Sequence, residues 1–146
     1  MSEENKFKNN DGSDGFVDTF LVDLIMTTNN SQSTDKSGFM EVTVAVKGTL
    51  YSGYIIGGAA WCDLSTEYVK SVAANDRVYQ EMKKYYAEIK EAHYTTEALA
   101  EYKEKGMNPV YLHMIVKSRL SNGTPVDKLW RFKACEVEGV SLGYLN

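Results

Sequence analysis

The sequence predicts an α+β protein, with a small curved β-barrel or open sheet, an N-terminal helix and a long helical insertion between the second and third strands. Three observations carry this prediction. Alternating apolar and polar residues occupy 42–56, a helical apolar pattern covers 59–105, and alternation returns after Pro109. Short strands with internal glycine and a helical insertion are typical of a sheet that curls toward an open barrel.

Length and composition fit a single globular domain. The chain has 146 residues, of which 43% are hydrophobic, and a formal net charge of −4. Residues 1–13 are polar and are predicted to form a disordered tail, which leaves 14–146 as one domain. The acidic balance argues against a general nucleic-acid binder. A polar N-terminus and the absence of a long apolar run predict a cytosolic protein with no membrane partner.

The first element is predicted to be a helix that Ser13 or Asp14 caps. Its apolar residues fall on one helical stripe: Phe16, Val17, Phe20, Leu21 and Leu24. A strand over 16–26 is the alternative, because Phe, Val, Thr and Ile are common in strands. Residues 27–38 carry no apolar side chain and are predicted to form a loop.

A β-hairpin is predicted over 39–56, with Lys47-Gly48 as its two-residue turn. This turn fixes the pairing, and it places Val46 opposite Thr49, Val44 opposite Tyr51, and Val42 opposite Gly53. A glycine inside a strand predicts a bulge or a sharp bend at Gly53. The glycines here lack the spacing of a phosphate-binding loop, so the stretch predicts a curved hairpin and no nucleotide site.

The helical insertion at 59–105 is predicted to be either one long helix or two helices with a break near Ala74-Asn75. Thr95 or Thr96 can cap a further helix that ends at Gly106. Several tyrosines recur on the helical stripe, and Tyr79, Tyr86 and Tyr102 are candidates for a partner-binding face. The alternative is that they pack against the rest of the same chain.

The C-terminal part is predicted to return to the same sheet. Strands are expected at 110–117 and 128–137, with a loop at 121–125 between them. Glu138-Gly139 is predicted to be a turn, and 140–142 a short closing strand.

No motif in the sequence predicts catalysis. Cys62 and Cys135 are far apart and predict reduced, buried thiols. His93 and His113 belong to no metal-binding pattern, so we expect no metal, no cofactor and no enzymatic activity. A small enzyme whose site is assembled from scattered residues is the remaining catalytic alternative.

The hairpin VTVAVKGTLYSG resembles the first strands of Sm-like RNA-binding barrels. This resemblance implies an Sm/SH3-like geometry and, as an alternative function, a nucleic-acid-binding module. That family carries an Asp-x-x-x-Asn element after the second strand. Here Asp63 is followed four residues later by Glu67, so the RNA-contacting pattern is missing.

Three blocks in the same order resemble the family of gas vesicle accessory protein U. The C-terminal block LWRFKACEVEGVSLG carries Leu129, Trp130, Arg131, Val137, Gly139, Leu142 and Gly143 at matching positions. Upstream, VYLHMIVKS places His113 at the family's histidine position. The hairpin matches with Gly48, Ser52 and Gly53.

This resemblance implies a non-enzymatic role in vesicle assembly or clustering, through association with vesicle shell proteins or with other copies of the chain. Trp130 and Arg131 are good candidates for the contact, because Trp and Arg are favoured as interface anchors. The helical region between Trp61 and Tyr102 is the contact surface to test first, because it has more aromatic area than a small barrel needs. A core position for Trp130 is the alternative. The motif glycines, Gly48, Gly53, Gly139 and Gly143, are expected to serve backbone geometry.

Overall fold

The computed structural model describes residues 18–31 and 38–144. In chain order its elements are α1 (Thr19–Ser31), β1 (Met40–Val46), β2 (Thr49–Ile56), α2 (Gly58–Val72), α3 (Asp76–His93), α4 (Thr96–Glu104), β3 (Tyr111–Arg119), β4 (Pro125–Lys133), a 3₁₀ turn (Ala134–Glu136) and β5 (Val137–Leu142). This is the order of elements that the sequence predicts. The predicted tail and the caps Ser13 and Asp14 lie outside the described residues, and the division into tail and one domain stays a prediction.

The strands form one antiparallel sheet in the order β4-β3-β2-β1-β5. The α+β class is therefore confirmed. Within the described ranges the sheet is open, with β4 and β5 as its two edges, so the barrel geometry of the prediction is not confirmed. An open sheet leaves unpaired backbone groups at both edges, where another chain can add a strand.

The predicted pairing of the hairpin is confirmed to the residue, and its first strand begins at Met40, one residue later than predicted. Val46 pairs with Thr49, Val44 with Tyr51, and Val42 with Gly53. The turn residues Lys47 and Gly48 have φ angles of 50° and 81°. Two positive φ values give the turn whose twist matches that of the flanking strands, and this is why the pairing could be predicted.

Of the bulge or sharp bend predicted at Gly53, the bulge is wrong. Gly53 pairs in regular register with Val42 on one side and with Val116 on the other. A Cβ atom at this position would lie 2.0 Å from the carbonyl oxygen of Ile115. Glycine is required because the β3 backbone approaches β2 closely at this point.

Helix α1 packs on one face of the sheet and forms the main core. Asp18 caps it, since its Oδ1 accepts a hydrogen bond from the Leu21 backbone N–H at 3.1 Å. The buried side chains of this core come from α1, β1, β2, β3 and β4: Leu21, Leu24, Ile25, Val42, Val44, Ile55, Leu112, Met114 and Phe132. The predicted helix is confirmed over its described part, and the alternative strand is wrong.

The predicted loop at 27–38 begins too early, because α1 continues to Ser31. Thr28 is fully buried, and its hydroxyl donates to the Leu24 carbonyl at 2.7 Å. Asn29 is also buried, and its Oδ1 accepts from the Gly58 N–H at 2.9 Å. These polar side chains satisfy backbone groups inside the fold, which the apolar pattern of the sequence does not reveal.

The helical insertion consists of α2, α3 and α4, so the single long helix is wrong. The first break lies at 73–75, where Asn75 Oδ1 accepts from the Val78 N–H at 3.1 Å. The predicted cap Thr95 is confirmed, since its hydroxyl accepts from the Ala98 N–H at 3.1 Å.

The predicted strand at 128–137 is in fact two elements. β4 ends at Lys133, and after the 3₁₀ turn β5 begins at Val137 and pairs with β1. The predicted turn at Glu138-Gly139 is wrong, because both residues belong to β5. The chain changes direction earlier, in the 3₁₀ turn. Ala134 at the start of this turn is fully buried, and its N–H donates to the Val110 carbonyl at 2.8 Å.

Candidate functional site

Trp130 and Arg131, which the sequence analysis proposes as interface anchors, lie on opposite faces of β4. Trp130 pairs with Met114 of the core that α1 covers. Arg131 pairs with His113, whose ring contacts Trp61 of α2 on the other face. Because successive side chains of a strand alternate, neighbours in sequence belong to two separate environments.

On the α1 side, Trp130 forms a cluster with Tyr51 and Phe132, here called the aromatic triad. The Trp130 and Phe132 rings are nearly parallel, with centroids 5.6 Å apart and 4° between their planes. The Tyr51 ring lies 5.6 Å from that of Trp130 and 4.9 Å from that of Phe132. Phe132 is 7% exposed, whereas Trp130 is 42% exposed. The triad therefore extends the core to the surface, and the role of Trp130 as a partner contact stays a prediction.

On the α2 side, Arg131 lies between two aromatic rings. Its guanidinium carbon is 3.6 Å from the centroid of the Tyr111 ring and 5.3 Å from that of Trp61. Burial raises the pKa of Tyr94 and the nearby guanidinium opposes this larger effect, while the Nε of Arg131 is buried and has no hydrogen-bond partner. No ion pair joins Arg131 to any carboxylate of the described part of the chain. Ring faces attract the cation but carry no countercharge, so the charge of Arg131 is not neutralised by the rings that flank it.

His113 is buried beside Arg131. Its ring lies 4.9 Å from Trp61 and 5.6 Å from Tyr94. Burial, together with the nearby charge of Arg131, lowers the pKa of His113 to about 3. The imidazole is therefore neutral at physiological pH and acts as a packing group between the sheet and α2.

The thiols show no sign of activation. Cys62 and Cys135 are both free, and Cys62 is buried. Burial raises the pKa of Cys62 to about 11, which disfavours the nucleophilic thiolate. Among the residues that the structure describes, no group of three or more His, Cys, Asp or Glu side chains could hold a metal ion.

The three tyrosines named from the helical stripe do not share one exposed surface. All three are half-buried. Tyr86 meets Trp61 edge-on at 5.7 Å, and the Nζ of Lys70 lies 5.6 Å from the Tyr79 ring. Tyr102 lies on a different helix, α4, and lines a cavity. The more exposed helical tyrosines are Tyr68 and Tyr85, each 50% exposed, which the sequence analysis did not name.

This cavity has a volume of about 360 Å³ and is called the Arg131 cavity below. The ends of α1 and α3, the helix α4 and the start of β3 enclose it. Its walls combine apolar side chains with polar groups: Met26, Leu99 and Val110 among the former, Arg131, Tyr94 and Tyr102 among the latter. The sequence analysis missed this site, because it is formed by residues from five elements.

The sequence analysis also missed two residues of the triad, Tyr51 and Phe132, and the rings that flank Arg131. The hairpin register already placed Tyr51 opposite Val44 and therefore on the core face. What the sequence lacked was the strand order, which brings β2 and β4 to the two sides of β3.

The positions of the motif glycines differ in whether the backbone there requires a glycine. Gly48 and Gly143 have positive φ angles of 81° and 92°. Gly143 also closes the end of the sheet, where its N–H donates to the Glu41 carbonyl at 2.8 Å and its carbonyl accepts from the Thr43 hydroxyl at 2.9 Å. At Gly139, in contrast, a Cβ atom would meet nothing within 4 Å.

Comparison with known proteins gives one match. A family model described as "Gas vesicle protein GvpU-like" matches residues 18–145, which is nearly the whole chain. The chain belongs to this family, and the resemblance seen in its three sequence blocks is confirmed. No curated protein and no solved structure matches the chain. Within its described residues, no helix is long and apolar enough to span a membrane.

Proposed function

We propose that this member of the GvpU-like family is a non-enzymatic, cytosolic accessory protein of gas vesicles that binds protein subunits of the vesicle shell through the aromatic triad. Family membership supports the vesicle context. The proposed contact rests on the geometry of Trp130. Vesicle assembly or clustering then follows from association and requires no chemical step.

The observation that carries the proposal is a large aromatic side chain that is held in place and yet exposed. Trp130 is 42% exposed while its ring stacks on buried Phe132. An aromatic group that is already ordered loses little conformational freedom on binding. Trp is also enriched among the residues that dominate binding energy at protein interfaces. Trp130 therefore combines a fixed position with accessible apolar area.

The position of Trp130 and Phe132 on an edge strand favours a protein partner. β4 is an edge of the sheet, so its outer backbone groups can pair with an added strand while Trp130 contacts side chains.

The proposed absence of enzymatic activity is supported by the state of the ionisable groups. Cys62 is buried with a raised pKa, and His113 is buried with a lowered one.

Flotation with purified gas vesicles tests the proposal. Wild type is expected to rise with the vesicles, and Trp130→Ser to bind about tenfold more weakly or worse, as for an interface anchor. Tyr85→Ser is the matched control, since Tyr85 is 50% exposed and lies on α3, outside the triad. Denaturation curves on each variant establish that it is folded.

A wild type that stays in solution would overturn shell binding. A folded Trp130→Ser variant that floats as well as wild type would exclude the triad as the contact. Light scattering without vesicles detects self-association, and a salt-sensitive retention on RNA would favour the Sm-like alternative instead.

A further inference from the structure

The Arg131 cavity has the size and the lining of a small-molecule site. Its volume of about 360 Å³ lies within the range of ligand pockets, roughly 300–1,000 Å³. Apolar side chains from α1, α4 and the segment just before β3, such as Met26, Leu99 and Val110, form much of its wall. Such a wall accommodates a hydrocarbon chain or ring rather than a strongly hydrated molecule.

Arg131 gives this cavity a charged end. Among the described residues that line it, Arg131 is the single Arg or Lys side chain. The guanidinium is stacked on Tyr111 at 3.6 Å, so its plane is fixed. A half-buried cation without a carboxylate partner in the described chain is costly unless a ligand supplies the countercharge.

The groups around Arg131 favour an anion and do not compete with it. His113 is neutral, because burial and the charge of Arg131 lower its pKa. Burial raises the pKa of Tyr94, whose hydroxyl therefore remains protonated and uncharged. Near the same cavity, Tyr102 and His93 Nδ1 are joined by a hydrogen bond. The cavity thus offers the fixed cation of Arg131 beside the uncharged hydroxyls of Tyr94 and Tyr102.

We propose that the Arg131 cavity binds a small organic carboxylate with an apolar body, whose carboxylate pairs with the guanidinium of Arg131. A planar guanidinium and a carboxylate match in geometry and can form two parallel hydrogen bonds. The apolar body lies along Met26, Leu99 and Val110. A single cation in an apolar cavity suits a singly charged carboxylate better than a multiply charged phosphate.

The site is separate from the surface proposed for the vesicle shell. Arg131 and Trp130 lie on opposite faces of β4, and none of the triad residues lines the cavity. The inference therefore goes beyond the proposed function, and it can hold or fail independently of vesicle binding.

Titration calorimetry with octanoate as the probe tests the proposal. 1-Octanol serves as the uncharged analogue, and inorganic phosphate as an anion without an apolar body. We expect saturable binding of octanoate, and binding at least about tenfold weaker for both other probes, because a hydrogen-bonded ion pair contributes that much or more. Octanoate should also shift the Arg131 Nε–H signal in ¹H–¹⁵N spectra, since that group now has no partner.

Two variants keep the test decisive. Arg131→Met retains the length of the side chain and removes the charge, and it should weaken octanoate binding at least about tenfold. If that variant does not fold, Leu99→Trp decides instead, because a larger side chain on α4 fills the cavity and should abolish binding. No octanoate binding to wild type, or equal affinity for octanoate and 1-octanol, would overturn the proposal. Binding that survives in a folded Arg131→Met or Leu99→Trp variant would overturn it equally.

Discussion

Replacing Gly53 by Ala should destabilise the protein through a direct collision between two strands. The added Cβ atom would lie 2.0 Å from the carbonyl oxygen of Ile115 and 2.9 Å from the Cα atom of Val116. Both are backbone atoms of β3, and β3 is itself held between β2 and β4. Neither obstacle is a flexible side chain that can rotate away, so one strand must move.

The magnitude follows from two opposing effects. Relieving the contact requires a shift of roughly 1 Å in a well-packed sheet, and overpacking of this kind costs about 1–3 kcal/mol. In the opposite direction, Ala has less conformational freedom than Gly in the unfolded chain, and this stabilises the folded state by about 0.4–1 kcal/mol. Since the obstacle is backbone, we expect the upper part of the first range and a net loss of about 2 kcal/mol. For a chain of this size that corresponds to a melting temperature lower by roughly 6–8 °C.

Urea denaturation of Gly53→Ala and Gly139→Ala measures the effect with a matched control. Gly139 also lies in a strand, β5, but a Cβ atom there meets nothing within 4 Å. Gly139→Ala should therefore change the free energy of unfolding by less than about 0.5 kcal/mol. An unchanged midpoint for Gly53→Ala, or equal losses in both variants, would refute the reasoning from close approach.

Two further predictions concern buried ionisable groups. Burial raises the pKa of Cys62 to about 11, so at pH 8 a thiol reagent should modify half-buried Cys135 first, and Cys62 only after denaturant is added; equal rates in the folded protein would contradict this. The pKa of His113 is about 3 in the folded chain, against an ordinary value of 6.5. The unfolded chain therefore binds this proton first as pH falls, and stability present above pH 6.5 is lost between pH 6.5 and pH 3. His113→Phe should reduce the stability difference between pH 7 and pH 5 by about 1–2 kcal/mol, measured by denaturation at both values.

Local rules account for the parts of the fold that could be predicted from sequence. A two-residue turn at Lys47-Gly48 fixes the hairpin register, because the side-chain period of a strand is two. Asn75 and Thr95 cap helices through their own side-chain oxygens, and this chemistry is readable without tertiary context.

The errors arise where a distant segment decides the local structure. α1 continues past Met26 because Thr28 and Asn29 are buried, and Asn29 bonds to Gly58, far along the chain. The role of Gly53 depends on β3, a strand that begins after the whole helical insertion. No propensity or turn signal contains that information, since it lies in the order of the strands.

The candidate site shows the same limit in a single strand. Residues 129–132 read Leu-Trp-Arg-Phe, a bulky run without the polar alternation of a half-exposed strand. The structure explains the run, because both faces of β4 are in use. Leu129 and Arg131 face the side of α2, while Trp130 and Phe132 face the side of α1. A strand between two helical layers needs large side chains on both faces, so its sequence does not alternate between apolar and polar residues. That alternation would have shown from the sequence that Trp130 and Arg131 face opposite sides. One motif thus supplies the aromatic triad on one face and the cation of the Arg131 cavity on the other.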